Sequence, residues 1–304
     1  MTFKIAAADS GKTVLVFLRE KTGMSRAMLR HLKFMDDGIT VDGSHVTVRY
    51  ILKEGDLLSI KSEDEAGSEK LVPVDLAVDI VYEDDDIVVP DKPPFMPTHP
   101  SRDHYEDTLA NALAYRYRDD DLPFVFRAAN RLDRNTSGLV LIARNRISAS
   151  KLFSSMRSGE IEKRYIAVLD GVPSEREGEI RTYIGRTPES IIVRRVCGEG
   201  EGDLAVTRYR VLRENGRYSV VEATPVTGRT HQLRVHFAHI GAPIVGDELY
   251  GKESELIARH ALHAAYLSFP HPTTNARIEL SAPPHEDIES LIKTLFDGDI
   301  NEGK

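Results

Sequence analysis

The sequence predicts an α+β fold: a central mixed, largely antiparallel β-sheet with flanking helices, preceded by a small αβ domain. Three observations predict it. Helical and strand-like hydrophobic patterns are intermixed without regular βαβ alternation. The acidic, polar stretch Ser62–Lys70 contains no large apolar residue apart from its neighbours and divides residues 1–61 from 71–296 in the manner of a linker. The composition, 41% hydrophobic and 29% charged over 304 residues, is that of ordinary globular domains and excludes disorder, collagen and a chain-long coiled coil.

Each element has a local reason. Lys12–Lys21 sets Val14, Leu15 and Leu18 at helical spacing, and Gly23 breaks the pattern. Ser25 caps a second helix through Lys33, whose Arg26, Arg30, His31 and Lys33 form a cationic face. Ile39–Val41, an Asp42-Gly43 turn and Val46–Val48 read as a hairpin, and Leu57–Ile60 as a last strand. In the second domain, Ile80–Val89 is a pair of strands around the acidic turn Glu83–Asp86, ended by Asp91-Lys92-Pro93-Pro94. Thr108–Arg118 reads as a helix, Gly138–Ala143 as a buried strand and Ser148–Arg157 as a helix. Strands follow at Arg164–Leu169, Leu204–Leu212 and Tyr218–Ala223, then a helix at Thr230–His239. The polar tail 297–304 reads as disordered.

The net charge of −8 argues weakly against a nucleic-acid partner, but the average hides a pattern. Between Arg127 and Tyr165 nine basic residues face three acidic ones, a local +6. No apolar stretch approaches the ~20 residues of a bilayer span, so no membrane is expected. The start lacks a secretory signal, and Cys197 is the single cysteine, which fits a reducing cytoplasm.

Several motifs fail. Ser10-Gly11-Lys12-Thr13 lacks the earlier glycine of a phosphate loop, because Ala6 stands there. Gly198, Gly200 and Gly202 alternate with acidic residues in what reads as a flexible loop. His231, His236, His239, His260, His263 and His271 match no strong zinc spacing, so packing or RNA contacts are expected and no metal.

Three segments stand out together. In Asn130-Arg131-Leu132-Asp133-Arg134, a carboxylate sits between two cations before a turn and a strand, as a nucleophile or base would. Alone, such an aspartate is ordinarily a salt bridge or an Asx turn. Lys163-Arg164-Tyr165 places a tyrosine in a β-run after two cations, suited to stacking on a base. Gly228-Arg229-Thr230-His231-Gln232-Leu233-Arg234 opens a helix with clustered donors, a suitable place for phosphate. Arg234 falls on the Thr230 face, opposite Leu233 and Phe237, from which it could reach a carboxylate on another element.

These residues carry a resemblance. RLDRNTSGLVLIA, KRYIAVL, TGRTHQLRVHFAHIGAPIVGDELYG and LHAAYLSFPHP, with DKPPFMPTHP before them, resemble in order the bacterial RluA/RluD family of pseudouridine synthases over most of residues 71–285. Residues 1–61 resemble the small RNA-binding module of ribosomal protein S-four. The resemblance implies the pseudouridine synthase fold with a catalytic cleft, Asp133 as catalytic aspartate, Tyr165 as active-site tyrosine and Arg234 as the arginine paired with the aspartate. It also implies Leu233 beside the target base and Arg131 near the place vacated by a flipped nucleotide. Asn130, Lys163, Arg229 and His231, with Arg26, Arg30 and Lys33, are the further expected RNA contacts. Asn130 departs from the family's usual histidine, keeping hydrogen bonding but losing the ring. No cofactor is expected, because the isomerisation involves no redox change and no external reactant. Ribosomal RNA is the favoured partner, transfer RNA the other, and the protein is expected to be a monomer. The rival reading is a non-catalytic RNA-binding or ribosome-assembly factor on the same fold. A glycoside hydrolase would need a second carboxylate that these motifs lack.

Overall fold

The computed structural model describes residues 2–22, 24, 29, 32–33, 35, 37–61, 71–120, 124–188 and 190–297. The expected linker 62–70, the tail 298–304, and Arg26, Arg30 and His31 of the cationic helix lie outside the described residues.

The amino-terminal module is a four-stranded sheet and its helices. Strands β1 (Thr2–Lys4), β2 (Ile39–Val41), β3 (Ser44–His45) and β4 (Leu57–Ile60) pair in the order β1-β4-β2-β3. Helix α1 (Val14–Thr22) buries Val14, Phe17 and Leu18 against Leu29, Leu32, Ile39 and Leu58. Ile147 of the larger domain joins that core. The hairpin strand lies at 44–45, not at the expected 46–48. Asp42 (φ 49°) and Gly43 (φ 79°) are both left-handed, as a two-residue primed turn requires, so pairing resumes at once with Val41 opposite Ser44.

The larger domain runs β5 (Asp79–Glu83), β6 (Ile87–Lys92), α2 (Leu109–Arg116), β7 (Arg127–Ala128), β8 (Ser137–Leu139), β9 (Ile142–Ala143) and α3 (Arg146–Ser158). It continues with β10 (Glu162–Asp170), β11 (Glu177–Thr187), β12 (Ser190–Cys197), β13 (Asp203–Glu214), β14 (Tyr218–Pro225), α4 (Gln232–His239), β15 (Leu262–Pro270), β16 (Arg277–Ser281) and α5 (Glu286–Phe296). Its twelve strands form one sheet in the order β12-β11-β13-β14-β10-β15-β8-β6-β9-β7, with β16 on β15 and β5 on β6. Every pairing is antiparallel except β8 with β15. The fold is therefore the mixed, largely antiparallel α+β class expected. No described helix is long and apolar enough to cross a membrane.

Local chemistry fixes the ends of these elements. Thr108 and Asn111 form a reciprocal capping box at the start of α2, and Asn111 Nδ2 also donates to the Val72 carbonyl at 2.7 Å. Asn145 accepts from the Ile147 and Ser148 amides and starts α3 two residues before the expected Ser148. Left-handed Gly159 (φ 75°) ends it. The expected strand 138–143 is two strands. Val140 N–H turns to the Pro90 carbonyl, and the Asn130 side chain bridges the break, donating to Leu139 O (3.2 Å) and accepting from Leu141 N–H (2.7 Å).

Gly138 is required where β8 meets β15. Its φ is +114°, and a Cβ there would lie 2.6 Å from the Ala264 nitrogen. We expect Gly138→Ala to cost more than ~3 kcal/mol, or to prevent folding, because strain and overlap act together on the strand pair. Urea unfolding measures it, and a loss under ~1 kcal/mol would contradict the stated geometry.

A pH effect follows from His236. It is fully buried, between the hydroxyls of Thr182 (3.0 Å) and Thr207 (2.9 Å), and burial, with His239 nearby, pushes its pKa down to about 4 from 6.5. The unfolded chain therefore binds the extra proton first. The contribution of neutral His236 is complete above pH 6.5 and is lost as pH falls toward 4. The urea midpoint is expected to drop between pH 7 and pH 5, and to drop less in His236→Gln.

Candidate active site

Asp133 stands on the loop joining β7 to β8, in a turn closed by Thr136 N–H on the Asp133 carbonyl at 3.0 Å. Buried groups hold the loop on both sides. Thr98 Oγ1 donates to Leu132 O (2.8 Å) and accepts from Leu132 N–H (3.2 Å). Lys92, fully buried, donates to the carbonyls of Pro93 (2.8 Å), Met96 (2.7 Å) and Arg134 (3.2 Å). Three carbonyls are the full complement for an ammonium. Burial first, and Arg259 second, push the Lys92 pKa down to about 7. Arg259, also fully buried, donates to Asn135 O (3.0 Å) and Ser137 Oγ (3.1 Å) and is paired bidentately with Asp287 of α5.

Tyr165 comes from β10, at the point where its register with β15 shifts between Arg164 and Tyr165. Such a bulge re-aims a side chain. Small residues, Ala223 and Ala264, flank it on the neighbouring strands. The ring is buried, and burial first, then the negative charge of Asp133, push the phenol pKa up and keep its proton on.

Helix α4 supplies the third side, and it begins at Gln232 rather than at the expected Thr230. His231 takes a left-handed conformation (φ 58°), and the buried Gln232 side chain orders the preceding turn. Gln232 accepts from Thr227 Oγ1 (2.7 Å) and Arg229 N–H (3.0 Å) and donates to Val206 O and Thr207 Oγ1, both at 2.9 Å. Leu233 and Arg234 are both buried and both line the cleft.

Arg234 does reach across to Asp133, at 3.5 Å from Nη1 to Oδ2, but its principal partner is Asp247. Nε and Nη2 donate to the Asp247 carboxylate at 2.8 and 2.7 Å. Burial opposes the charge on Arg234, and the Asp247 contacts outweigh it, raising the guanidinium pKa. Asp247 belongs to the TGRTHQLRVHFAHIGAPIVGDELYG motif, and nothing in its local sequence marks this role. Of the two arginines that flank Asp133 in sequence, Arg131 is exposed and lines the same cleft, and Arg134 donates to Phe95 O at 3.2 Å. His231 Nε2 lies 3.7 Å from Asp133 Oδ2, and burial lowers its pKa against the pull of that carboxylate.

These groups surround a cleft of about 520 Å³. Asn130, Arg131, Lys163 and Arg229 also line it. Of the expected contacts on the amino-terminal module, Arg26 and Arg30 lie outside the described residues, and Lys33 is exposed and does not line the cleft. Burial lowers the Lys163 pKa. Three cations of the +6 segment have partners in the fold. Arg144 pairs with Asp120 and Glu83, Arg164 pairs with Glu162 and stacks on Tyr266, and Lys151 donates to Pro272 O.

Two groups of potential metal ligands occur among the described residues, Asp84-Asp86-His271 and Asp91-His263-His285. In the first, His271 Nδ1 accepts from the Thr273 and Thr274 amides, so its proton sits on Nε2, facing Asp84 at 2.9 Å. In the second, His263 Nε2 donates to Ala282 O, and Nδ1 is bonded to Ser137 Oγ. Both imidazoles are thus committed to hydrogen bonds of the fold.

Residues 86–239 match the family model described as RNA pseudouridylate synthase. The chain belongs to the RNA pseudouridylate synthase family. The synthase is of the RluA/RluD type and an isomerase by family. It is 40% identical over 271 residues to the RNA pseudouridine synthase YjbO of Bacillus subtilis, covering 89% of this chain and 95% of that one. It is 35% identical to ribosomal large subunit pseudouridine synthase D of Pseudomonas aeruginosa, over 86% of this chain and 84% of that one. A human structure, RNA pseudouridylate synthase domain containing 1, superposes with a TM-score of 0.57 at 30% identity, covering 72% of this chain and 86% of that one.

The Arg234–Asp247 pair gives a direct stability test. Both side chains are buried, so Asp247→Ala strands an uncompensated guanidinium and is expected to cost about 3–5 kcal/mol in urea unfolding. A change below ~1 kcal/mol would show that Arg234 finds other partners or solvent.

Proposed function

We propose that this synthase isomerises specific uridines in RNA, with ribosomal RNA as the favoured substrate, and that Asp133 starts the reaction. The observation that carries the reading is the convergence of the Asp133 carboxylate, the Arg234 guanidinium at 3.5 Å and the buried Tyr165 ring in one cleft. The name of the Pseudomonas aeruginosa relative supports a ribosomal substrate over a transfer RNA.

In this reading the target uridine leaves its stack and enters the cleft, at an unstacking cost of about a few kcal/mol. Asp133 acts on the ribose, by attack or by taking a proton. The glycosidic carbon–nitrogen bond breaks, the uracil turns and a carbon–carbon bond forms, with no oxidant, reductant or second substrate consumed. Leu233 and the Tyr165 ring confine the detached base, and the protonated Tyr165 hydroxyl offers a donor for proton transfer. Arg234 faces the Asp133 carboxylate and helps keep it oriented. Arg131, Lys163, Arg229 and His231 contact the nucleotide and its neighbours, and Asn130 contributes by bracing the strand break behind the loop. The amino-terminal module, with Arg26, Arg30 and Lys33, supplies further RNA contacts. The protein works as a cytoplasmic monomer without a cofactor.

Pseudouridine mapping by carbodiimide on total RNA, with and without the gene, tests this reading. A ribosomal RNA site is expected to vanish on deletion and to return with the wild type but not with Asp133→Ala. Loss confined to transfer RNA would overturn the choice of substrate, and rescue by Asp133→Ala would overturn the role of the aspartate. RNA affinity is also expected to fall steeply between about 50 and 200 mM salt, and a flat response would contradict the phosphate contacts.

A further inference from the structure

Tyr250 lies on the loop after α4 and is not a member of the expected site, yet it touches two of the site's residues, His231 and Arg234. Its hydroxyl accepts the backbone N–H of Arg194 on β12 at 2.9 Å and lies 2.8 Å from His231 Nδ1. Its ring meets the His231 ring edge to face, with centroids 5.7 Å apart, and the Arg234 guanidinium stands 5.1 Å from its centre. Asp247 fixes the loop that carries it, accepting from the Leu249 and Tyr250 amides at 3.1 and 3.2 Å.

A phenol has one proton to give. Because the Arg194 amide already donates to the Tyr250 oxygen, one acceptor site of that oxygen is taken, and the hydroxyl hydrogen is available to His231 Nδ1. A neutral imidazole whose Nδ1 accepts must carry its own proton on Nε2. That nitrogen is the one 3.7 Å from Asp133 Oδ2, on the cleft wall. The left-handed backbone at His231 and the packing of Tyr250 fix the direction in which it points.

We propose that Tyr250 is a positioning residue that holds His231 in the Nε2–H tautomer, so that a donor always faces Asp133 and the reacting nucleotide. The proposal rests on the synthase reading of the cleft. The charged and titratable groups around His231 are Asp133 on its loop, Arg234 on α4, Arg194 on β12, Asp247 and Tyr250 on the following loop, and the buried His260 just before β15. Burial keeps the imidazole neutral against the pull of the Asp133 charge, so the tautomer decides what the ring presents near neutral pH.

The test uses the full chain and Tyr250→Phe, which keeps the ring and removes the hydroxyl. Nitrogen-15 NMR of histidine-labelled protein, with the His231 signals assigned by their loss in His231→Gln, reads the tautomer without RNA. The wild type is expected to show Nε2–H, and Tyr250→Phe a shift toward Nδ1–H or a mixture. Kinetics on a uridine RNA found to be a substrate give the functional arm. Tyr250→Phe is expected to lower kcat roughly tenfold at pH 8 with KM little changed, the size of a lost hydrogen bond in a buried site. The deficit should shrink as pH falls and His231 becomes protonated on both nitrogens. In a His231→Gln background, Tyr250→Phe should cost nothing further.

An unchanged tautomer in Tyr250→Phe overturns the proposal whatever the activity. So does a kcat loss that is the same at every pH or that persists in the His231→Gln background, since Tyr250 would then act through Arg234 or the loop. Should the wild type prove inactive on every RNA, the synthase reading fails and the functional half of the proposal with it, while the NMR result still decides the tautomer.

Discussion

Arg234 is buried, charged and already committed, and the geometry of the cleft depends on that. Its guanidinium gives Nε and Nη2 to Asp247, which is itself fully buried, and this leaves Nη1 facing Asp133. A guanidinium held at one edge by a bidentate carboxylate presents its other edge in a fixed direction. Asp247 also accepts from the backbone of its own loop, so the same carboxylate places Arg234 and the ring of Tyr250. Removing it would disturb two sides of the cleft at once.

The opposite wall is built by a different device. The Asp133 loop has no regular pairing partner of its own, and its carbonyls would be stranded in a partly buried site. Lys92 takes Arg134 O, Arg259 takes Asn135 O, and Thr98 takes Leu132 O, so a buried side chain reaches the loop at each of three successive points. Arg259 extends the arrangement to the carboxyl-terminal helix α5 through Asp287. Burying cations is costly unless each donor is matched, and here carbonyls and one carboxylate match them. The result is an irregular loop whose backbone carbonyls are met by buried side chains, the support that a reacting group on it would need.

Much of this was legible in the sequence, and the rest was hidden for identifiable reasons. The α+β class, α1, α2 and the paired strands around Glu83–Asp86 follow from periodicity and turn residues. Strand β11 escaped because Glu177, Glu179, Arg181 and Arg186 are exposed along it and it shows little apolar alternation. Strand β15 escaped because it is central and buried on both faces, and such a run has no period to read. At the site, Asp133, Tyr165, Leu233 and Arg234 were found from motifs and do meet in one cleft. The cation that reaches the Asp133 carboxylate, Arg234, is 101 residues away in sequence, so only the motif and not the local charge pattern could find it. Lys92, Asp247 and Arg259 carry no local signal of their role, because it lies in which distant carbonyl or carboxylate each one meets.

The account holds that the Asp133 carboxylate, placed by these two walls, performs the chemistry on uridine. Its most direct test is tritium release from RNA labelled at uridine carbon 5, comparing purified wild type with Asp133→Asn, alongside RNA binding by both. The account predicts release by the wild type only, with binding retained by the variant. Release by Asp133→Asn at the wild-type rate would contradict it.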